Sequence, residues 1–439
     1  MPTTFRPYTP NQSHLLPPSP KDWLPEGHLA NFISDVVDDL NLKNFYDSYE
    51  GDGRRNRPFD PRMMVKIILY GYAVGVRSSR KIAQKLHEDV AFRVLASENF
   101  PAHRTISDFR QKHLKELGSL FAKVVRLAQE MEVLKIGTLA VDGSKVKASA
   151  SKHKAMSYGR MKQEERRLRQ QIQKILEEAQ AIDAYEDELY GKDNAGDELP
   201  ENLRRREDRL AAIAAAKKRL EERQAEEDKE KGRKPGDGKK SAKGGRDFKR
   251  TFGTPDDKAQ DNFTDPDSRI MKGSEGYVQA YNGQIAVDEG SQLIVATGLT
   301  QRAGDNGQLI PILEEAQKIT GQTPEQVLAD AGYKSEDNFK QLKCKQIDGY
   351  VSLGRESKKV QGIPNREYSE SRKMFRKLRS PAGKERYKRR KAIVEPVFGW
   401  MKEILGFRRF SFRGLEKVRA EWDLVCCAVN LKRLHSMAT

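Results

Sequence analysis

Apolar residues between positions 58 and 130 recur three and four apart, the period of a helix with one buried face. In "DPRMMVKIILYGYAVG" (60–75) the pattern starts directly after Asp60, predicting a helix capped by Asp60 with Pro61 in its first turn. "SSRKIAQKLHED" follows, with Ile82 and Leu86 on one face and Ser79 as its cap. "AHRTISDFRQKHLKEL" then carries Ile106, Phe109 and Leu114, with Thr105 or Ser107 as its cap. Two short helices before a third rich in Arg and Lys are the order of a helix-turn-helix unit. A plain helical packing module accounts for the same pattern.

The period changes at "KIGTLAVDGSKVKA" (135–148), where Leu139 and Val141 precede Asp142 in a β-like run. From 161 a heptad takes over. Leu168, Ile175, Ile182 and Leu189 stand seven apart, with Ile172 and Ala179 in the second seam position. After the polar turn "YGKDNAGDELPEN", Leu203, Leu210, Ile213 and Leu220 resume the pattern. Residues 151–224 are therefore expected to form an antiparallel, coiled-coil-like helical hairpin, either a dimerisation arm or DNA clamp or, equally, a solvated hairpin touching only its own core. Residues 225–269 lack a core-forming run and read as a charged flexible linker. Strand-like "GYVQAYNGQIAVD" and "SQLIVATGLTQ" then make a hairpin through Asp288–Gly290. Next come a helix ("DNGQLIPILEEAQKIT", with Asp305 and Asn306 as its N-cap), a strand ("EQVLAD"), a short helix, another strand ("DGYVSLG") and helix from 384 onward. With 150–270 set aside, the order predicts an α/β layer on a mixed sheet. Pro-rich residues 1–54 read as a mobile arm and a leading helix, 55–130 as an all-helical N-terminal domain, and 135–150 with 270–435 as the core.

Composition sharpens this picture. The 439 residues are 37% hydrophobic and 33% charged, enough for a core plus a solvated charged segment. No apolar run could span a bilayer, and the N-terminus lacks the cationic start and apolar block of a secretory signal. The three cysteines show no metal or disulfide spacing, so a reducing cytoplasm is expected. Net charge is +17. Residues 371–420 hold 17 Lys and Arg against four acids, interleaved with Phe398, Trp400, Phe407, Phe410 and Phe412. A basic block mixed with aromatics points to a polyanion partner rather than a merely solubilising surface.

Within that block, Glu395 sits among Ile393, Val394, Val397 and Phe398, costly surroundings for a carboxylate without a cation. Asp142 ends the first core strand and Asp330 the fourth. If those strands pair, the two aspartates lie side by side, and a helix across that edge brings Glu395 to them. Three gathered carboxylates repel unless a cation sits between them, and oxygen-only ligands favour Mg²⁺ or Mn²⁺. Two such ions would serve in-line attack on a phosphodiester. Any one of these acids alone reads as a turn, cap or salt-bridge residue; the ordered set carries the chemistry. Pro396 disfavours helix at Glu395, so a helix is expected either to begin at Pro396 or to kink there. Asp265 and Asp267 form a second acidic pair, which could cap a helix or stand behind the metal ligands, with turn chemistry the better reading.

The stretches "LAVDGSKVKA", "TDPDSRIM", "GYVQAYNGQIAVD", "LADAGYKSEDN", "RRKAIVEPVFGWMK" and "FRRFSFRGLEKVRAEWDLVCCAVNLKRL" resemble bacterial insertion-sequence transposases of the DDE class, in the eleven-eighty-two branch of the five-type group. The resemblance covers about residues 55–435 outside the charged insert. It implies an RNase H-like core with the triad Asp142, Asp330 and Glu395 as catalytic residues and metal ligands. It also implies divalent Mg²⁺ or Mn²⁺, two ions, and cutting and joining of DNA at terminal inverted repeats, with the N-terminal helices binding the ends. In the related four-type group a Tyr, Arg, Glu, Lys signature surrounds the last acid. Glu395 and Lys402 keep its Glu-to-Lys spacing, whereas Lys391 takes the Arg position, with Arg390 one residue earlier and Tyr387 displaced. Phosphate contacts are expected from Lys402, Arg390, Lys391, Arg408, Arg409 and Arg413. The expected partners are element-end and target DNA and a second copy in a synaptic homodimer, with no membrane, in the bacterial cytoplasm at the nucleoid. A transposase-derived DNA-binding protein without strand transfer, and a metal-dependent DNA nuclease, remain alternatives.

Overall fold

A computed structural model of the chain describes residues 20–49, 58–190, 201–236, 248, 250–273, 276–354, 364 and 367–438. The N-terminal third is helical: α1 (Leu29–Asp39), α2 (Lys43–Asp47), α3 (Pro61–Ala73), α4 (Ser79–Glu88), α5 (Val90–Leu95), α6 (His103–Lys112) and α7 (Leu114–Glu130). Asp60 caps α3 by accepting from the Arg62 and Met63 N–H groups, with Pro61 at the first helical position. The other two expected caps differ. Ser78, not Ser79, precedes α4, and its side chain makes no capping bond. Helix α6 starts at His103, so Thr105 and Ser107 lie inside it. Pro101 forces extended chain just ahead of it, and the helix begins earlier than its hydroxyl residues suggest. The first nineteen residues of the 1–54 arm, and 50–57, lie outside the described residues.

The sheet has six strands: β1 (Thr138–Lys147), β4 (Arg269–Gly273), β5 (Gly276–Asp288), β6 (Ile294–Thr300), β7 (Gln326–Ala329) and β8 (Asp348–Val351). The order is β4-β5-β1-β7-β8, with β6 also on β5. It is mixed. β7 runs parallel to both β1 and β8, while β5 is antiparallel to β1, β4 and β6. Helix α10 (Leu309–Thr320) follows β6, and α11 (Glu336–Cys344) lies between β7 and β8. The chain ends through α12 (Ser369–Arg379), α13 (Pro381–Gly399), a π-helical turn Trp400–Ile404 and α14 (Leu415–Ala438). The two sheet faces are covered differently. Gly298 meets both Gln284 and Ile312 of α10, so α10 lies on the face of Gly143, Lys145, Asn282 and Gln284. The Trp422 ring of α14 lies against Gly283, on the face of Asp142 and Ser144. One buried cluster runs from Leu29 to Leu434, so the N-terminal helices share their core with the sheet.

The insertion holds α8 (Tyr158–Tyr190) and α9 (Glu201–Glu230), with the short pair β2 (Ala155–Ser157) and β3 (Gln260–Asn262) at its base. Tyr158, Met161, Leu168, Ile213, Ala216 and Leu220 form a separate small core there. The side chains of Ile182, Leu189 and Leu203 lie outside the described residues, as does the turn at 191–200. The described part of 225–269, expected as flexible linker, is tied down by charge instead. Asp228, buried, takes Arg233 and Arg250, and Asp261, buried, takes Arg219 and Arg223 of α9. A stretch without apolar periodicity has here been ordered by paired buried charges.

Candidate active site

Strands β1 and β7 pair in parallel, with Val141 opposite Ala329. The next residues, Asp142 and Asp330, therefore stand side by side on the same face, the arrangement expected if the first and fourth core strands pair. Each turns its carboxylate into local backbone. Asp142 accepts from the Gly143 N–H at 2.8 Å, and Asp330 from the Gly332 N–H at 2.8 Å. Arg390 of α13 reaches the same place, its guanidinium donating to Asp142 at 3.2 Å, with the two side chains 8% and 22% exposed. Burial pushes the Asp142 carboxyl up to about 6; Asp330 and Asp305 add to the rise, while Arg390 and the Gly143 N–H oppose it. Burial pulls Arg390 down, but Tyr387, Asp142 and Asp330 outweigh it and leave the guanidinium more basic than usual. Burial lowers the Lys402 amine and Arg408 lowers it further, while the Asp142 charge acts in the opposite sense, so Lys402 belongs to the same electrostatic neighbourhood.

Helix α13 does not begin at Pro396, as one expectation had it; it begins at Pro381 and runs through Pro396. Proline has no N–H for the carbonyl four residues back. That carbonyl, on Ala392, accepts instead from the Gln292 side chain at 3.3 Å. Ile393, Val394, Val397 and Phe398 face the core, and Glu395 is exposed. Its carboxylate takes no ion pair or hydrogen bond among the described residues. Nor do any three His, Cys, Asp or Glu side chains among the described residues form a group placed to hold a metal ion. Asp142 and Asp330 nonetheless fit a hard cation: two adjacent oxygen donors, one of them raised by burial and by its neighbouring acids.

The basic residues divide. Arg390 is spent on Asp142. Arg408 pairs with Glu403 at 2.6 Å. Arg409 and Arg413 donate to the Ala148 and Ser149 carbonyls, and Phe410 donates its N–H to Lys147, so the segment after the π turn lines the end of β1. Arg408, Arg409, Arg413 and Lys391 remain exposed to solvent. Asp265 and Asp267, read from sequence as turn residues, act across the chain. Asp265 accepts from Tyr281 and from the Gly414 N–H, and Asp267 from the Leu415 N–H, capping α14 from outside.

Sequence reasoning missed one acid. Asp305 does not cap α10, whose preceding residue is Gln308 with no side-chain cap. It accepts instead from Lys145, Asn282 and Gln284, 3.3, 2.7 and 2.8 Å away. The signal lay in two glycines. A Cβ on Gly143 would stand 2.7 Å from Asp305, and one on Gly332 would stand 2.9 Å from both Asp305 and Asp330. The "DG" and "DAG" steps after the two aspartates are where a third carboxylate comes close.

Residues 248–431 match the family model described as Transposase DDE domain, and residues 18–112 match the one described as Transposase domain (DUF772). The first match takes in Asp330 and Glu395 and begins downstream of Asp142; the second takes in α1–α6. Together the two matches support an insertion-sequence transposase. No curated protein and no solved structure matches the chain.

Proposed function

We propose that this chain, with its two transposase-domain matches, cleaves DNA at the terminal inverted repeats of an insertion sequence and joins the freed ends to target DNA. The observation that carries the reading is the parallel β1–β7 pairing, which sets Asp142 beside Asp330 in a chain whose DDE-domain match contains the second of them. The sheet order and its placement between α10 and α13–α14 support an RNase H-like core. Asp142 and Asp330 would hold a divalent ion, Mg²⁺ or Mn²⁺, with Glu395 as the third ligand from α13. When bound, such an ion would supply Lewis-acid polarisation of the scissile phosphate and a more acidic attacking oxygen.

The chain's own groups supply the rest. Arg390 keeps Asp142 ionised in a buried setting and fixes its orientation. Lys402, which feels the Asp142 charge and is made less basic by burial, would meet a phosphate oxygen. Exposed Lys391, Arg408, Arg409 and Arg413 extend the positive surface along which a DNA strand would lie. The N-terminal helices would grip the element end. A homodimer holding two ends in the bacterial cytoplasm, at the nucleoid, completes the reading.

The test is a strand-transfer assay with purified chain, a labelled duplex carrying the element end, and a supercoiled target, with and without Mg²⁺ or Mn²⁺. Joined product that requires the ion, and is lost in both Asp330→Asn and Glu395→Ala while end binding persists, is the expected result. Cleavage that survives in Asp330→Asn would sink the assignment. Cleavage without joining would instead favour a nuclease.

A further inference from the structure

Beneath the paired aspartates, on the opposite face of the sheet, lies a buried polar ledge. Its centre is the Asp305 carboxylate, from the segment between β6 and α10, with a side chain 15% exposed. Asn282 and Gln284 of β5, both fully buried, donate to it, and Lys145 of β1 pairs with it. Gln284 in turn accepts from the Tyr333 hydroxyl. Tyr333 is fully buried three residues after Asp330, and burial together with the Asp305, Asp142 and Asp330 charges keeps its hydroxyl protonated as a donor. The ledge thus grips β1 through Lys145 and the segment after β7 through Tyr333. It touches the two chain segments that carry Asp142 and Asp330 and neither carboxylate by hydrogen bond.

Glycine makes the approach possible. Side chains at Gly143 or Gly332 would collide with Asp305. The ledge also holds one spare acceptor: the Asn282 side-chain carbonyl oxygen is buried without a hydrogen-bond partner among the described residues and lies 3.0 Å from where a Gly143 Cβ would be. A charged group held by three donors next to an acid pair costs the fold unless it does something there, because each added anion raises the neighbours' burden of repulsion.

We propose that Asp305 is a positioning residue: it clamps the ends of β1 and β7 from the reverse face so that Asp142 and Asp330 present their oxygens to one cation. The inference rests on the assignment of that pair as the ion-holding acids. Outer groups that orient ligands without touching the ion commonly set affinity by on the order of ten- to a hundredfold.

The test is Mn²⁺ binding to the full chain without DNA, followed by electron paramagnetic resonance, beside circular-dichroism melting. Asp305→Ala is expected to weaken Mn²⁺ binding by at least about tenfold. Asp305→Asn is expected to stay within about threefold of wild type, because an amide still accepts from Gln284 and can donate to the unpartnered Asn282 oxygen. A charge effect alone would make the two variants equal, and that result would overturn the clamp. So would an Asp305→Ala chain that binds Mn²⁺ as wild type does. If Asp305→Ala does not fold, Lys145→Met, which cuts the β1 side of the clamp, carries the same expectation of weakened binding, and unchanged binding there overturns the proposal. Asp330→Asn in the same assay separates the two levels. If it binds Mn²⁺ as well as wild type, the acid pair holds no ion and the parent assignment fails. If it loses binding while Asp305→Ala keeps it, only the clamp fails.

Discussion

At the scale of single residues, Asp142 shows how burial and charge divide the work. Its carboxyl is pushed up to about 6 by burial, and Arg390 is the cation that restrains the rise. Removing Arg390 leaves a buried carboxylate facing Asp330 without a counter-charge. Arg390→Ala is expected to cost about 2–4 kcal/mol in chemical denaturation, with Arg390→Lys losing less. Asp142 and Asp330 were legible from sequence because strand-end acids need only a strand order to be brought together. Asp305 was not, since its partners Lys145, Asn282 and Gln284 come from other strands and no local pattern links them. A second buried acid gives a pH prediction. Burial pushes Asp423 of α14 up to about 6, with Glu315 adding and with Arg419 and a 2.6 Å Thr297 hydrogen bond opposing. A folded pKa above the unfolded value means the folded chain holds that proton more tightly. The stabilisation is complete below about pH 4 and is lost as pH rises through about 6. Asp423→Asn should therefore leave stability unchanged near pH 4 and raise it by about 1–2 kcal/mol at pH 8, read by urea denaturation at the two pH values.

At the scale of elements, helix ends and interruptions are satisfied from a distance, and this is where local sequence rules misled. Pro396 argued for a helix boundary at Glu395. The helix continues because Gln292, in the β5–β6 turn, supplies the donor that proline lacks. Gln292 itself holds a left-handed backbone, with φ of 59°, a conformation uncommon for a side chain of its kind. The acids of "TDPDSRIM" do sit in a turn, closed by the Ser268 N–H on the Asp265 carbonyl at 3.1 Å, but their carboxylates also serve Gly414 and Leu415, about 150 positions away, which no local pattern shows. Asp265 is fully buried and serves both Tyr281 and the start of α14. Asp265→Ala strands the buried Tyr281 hydroxyl and the half-buried Gly414 N–H and is expected to cost about 2–4 kcal/mol, against about 1 for Asp267→Ala, which removes the Leu415 cap and a 3.2 Å hydrogen bond from Gln301. Equal losses for the two in denaturant titrations would contradict that division.

At the scale of the whole molecule, the N-terminal helices and the strand-end site meet through one buried polar junction. Glu421 of α14 is fully buried and accepts from the Ser411 and Phe412 N–H groups at 2.8 and 3.2 Å, and from Tyr72 of α3 at 3.4 Å. Arg110 of α6 donates to the Tyr72 hydroxyl at 2.6 Å and lies 5.0 Å from the Phe412 ring centre. Arg77 donates to the Gly406 carbonyl at 2.7 Å. The segment 406–413 is thus held on one side by the helices covered by the DUF772 match and on the other by Lys147–Ser149 at the end of β1. Loosening that segment frees Arg409 and Arg413 from β1 without touching Asp142 or Asp330. Glu421→Gln keeps the shape and one acceptor but removes the charge that acts on Arg77. It is expected to destabilise the chain by about 2–4 kcal/mol, with Tyr72→Phe costing about 1 and the double variant less than their sum, because both remove the same hydrogen bond. The proposed function adds a second readout. Element-end binding by the full-length variant should hold, since the exposed faces of the N-terminal helices are unchanged, while ion-dependent cleavage falls on the order of tenfold as the basic segment loses its seat beside β1. A parallel loss of binding and cleavage, measured by gel shift and by release of labelled strand, would mean that the junction serves folding alone.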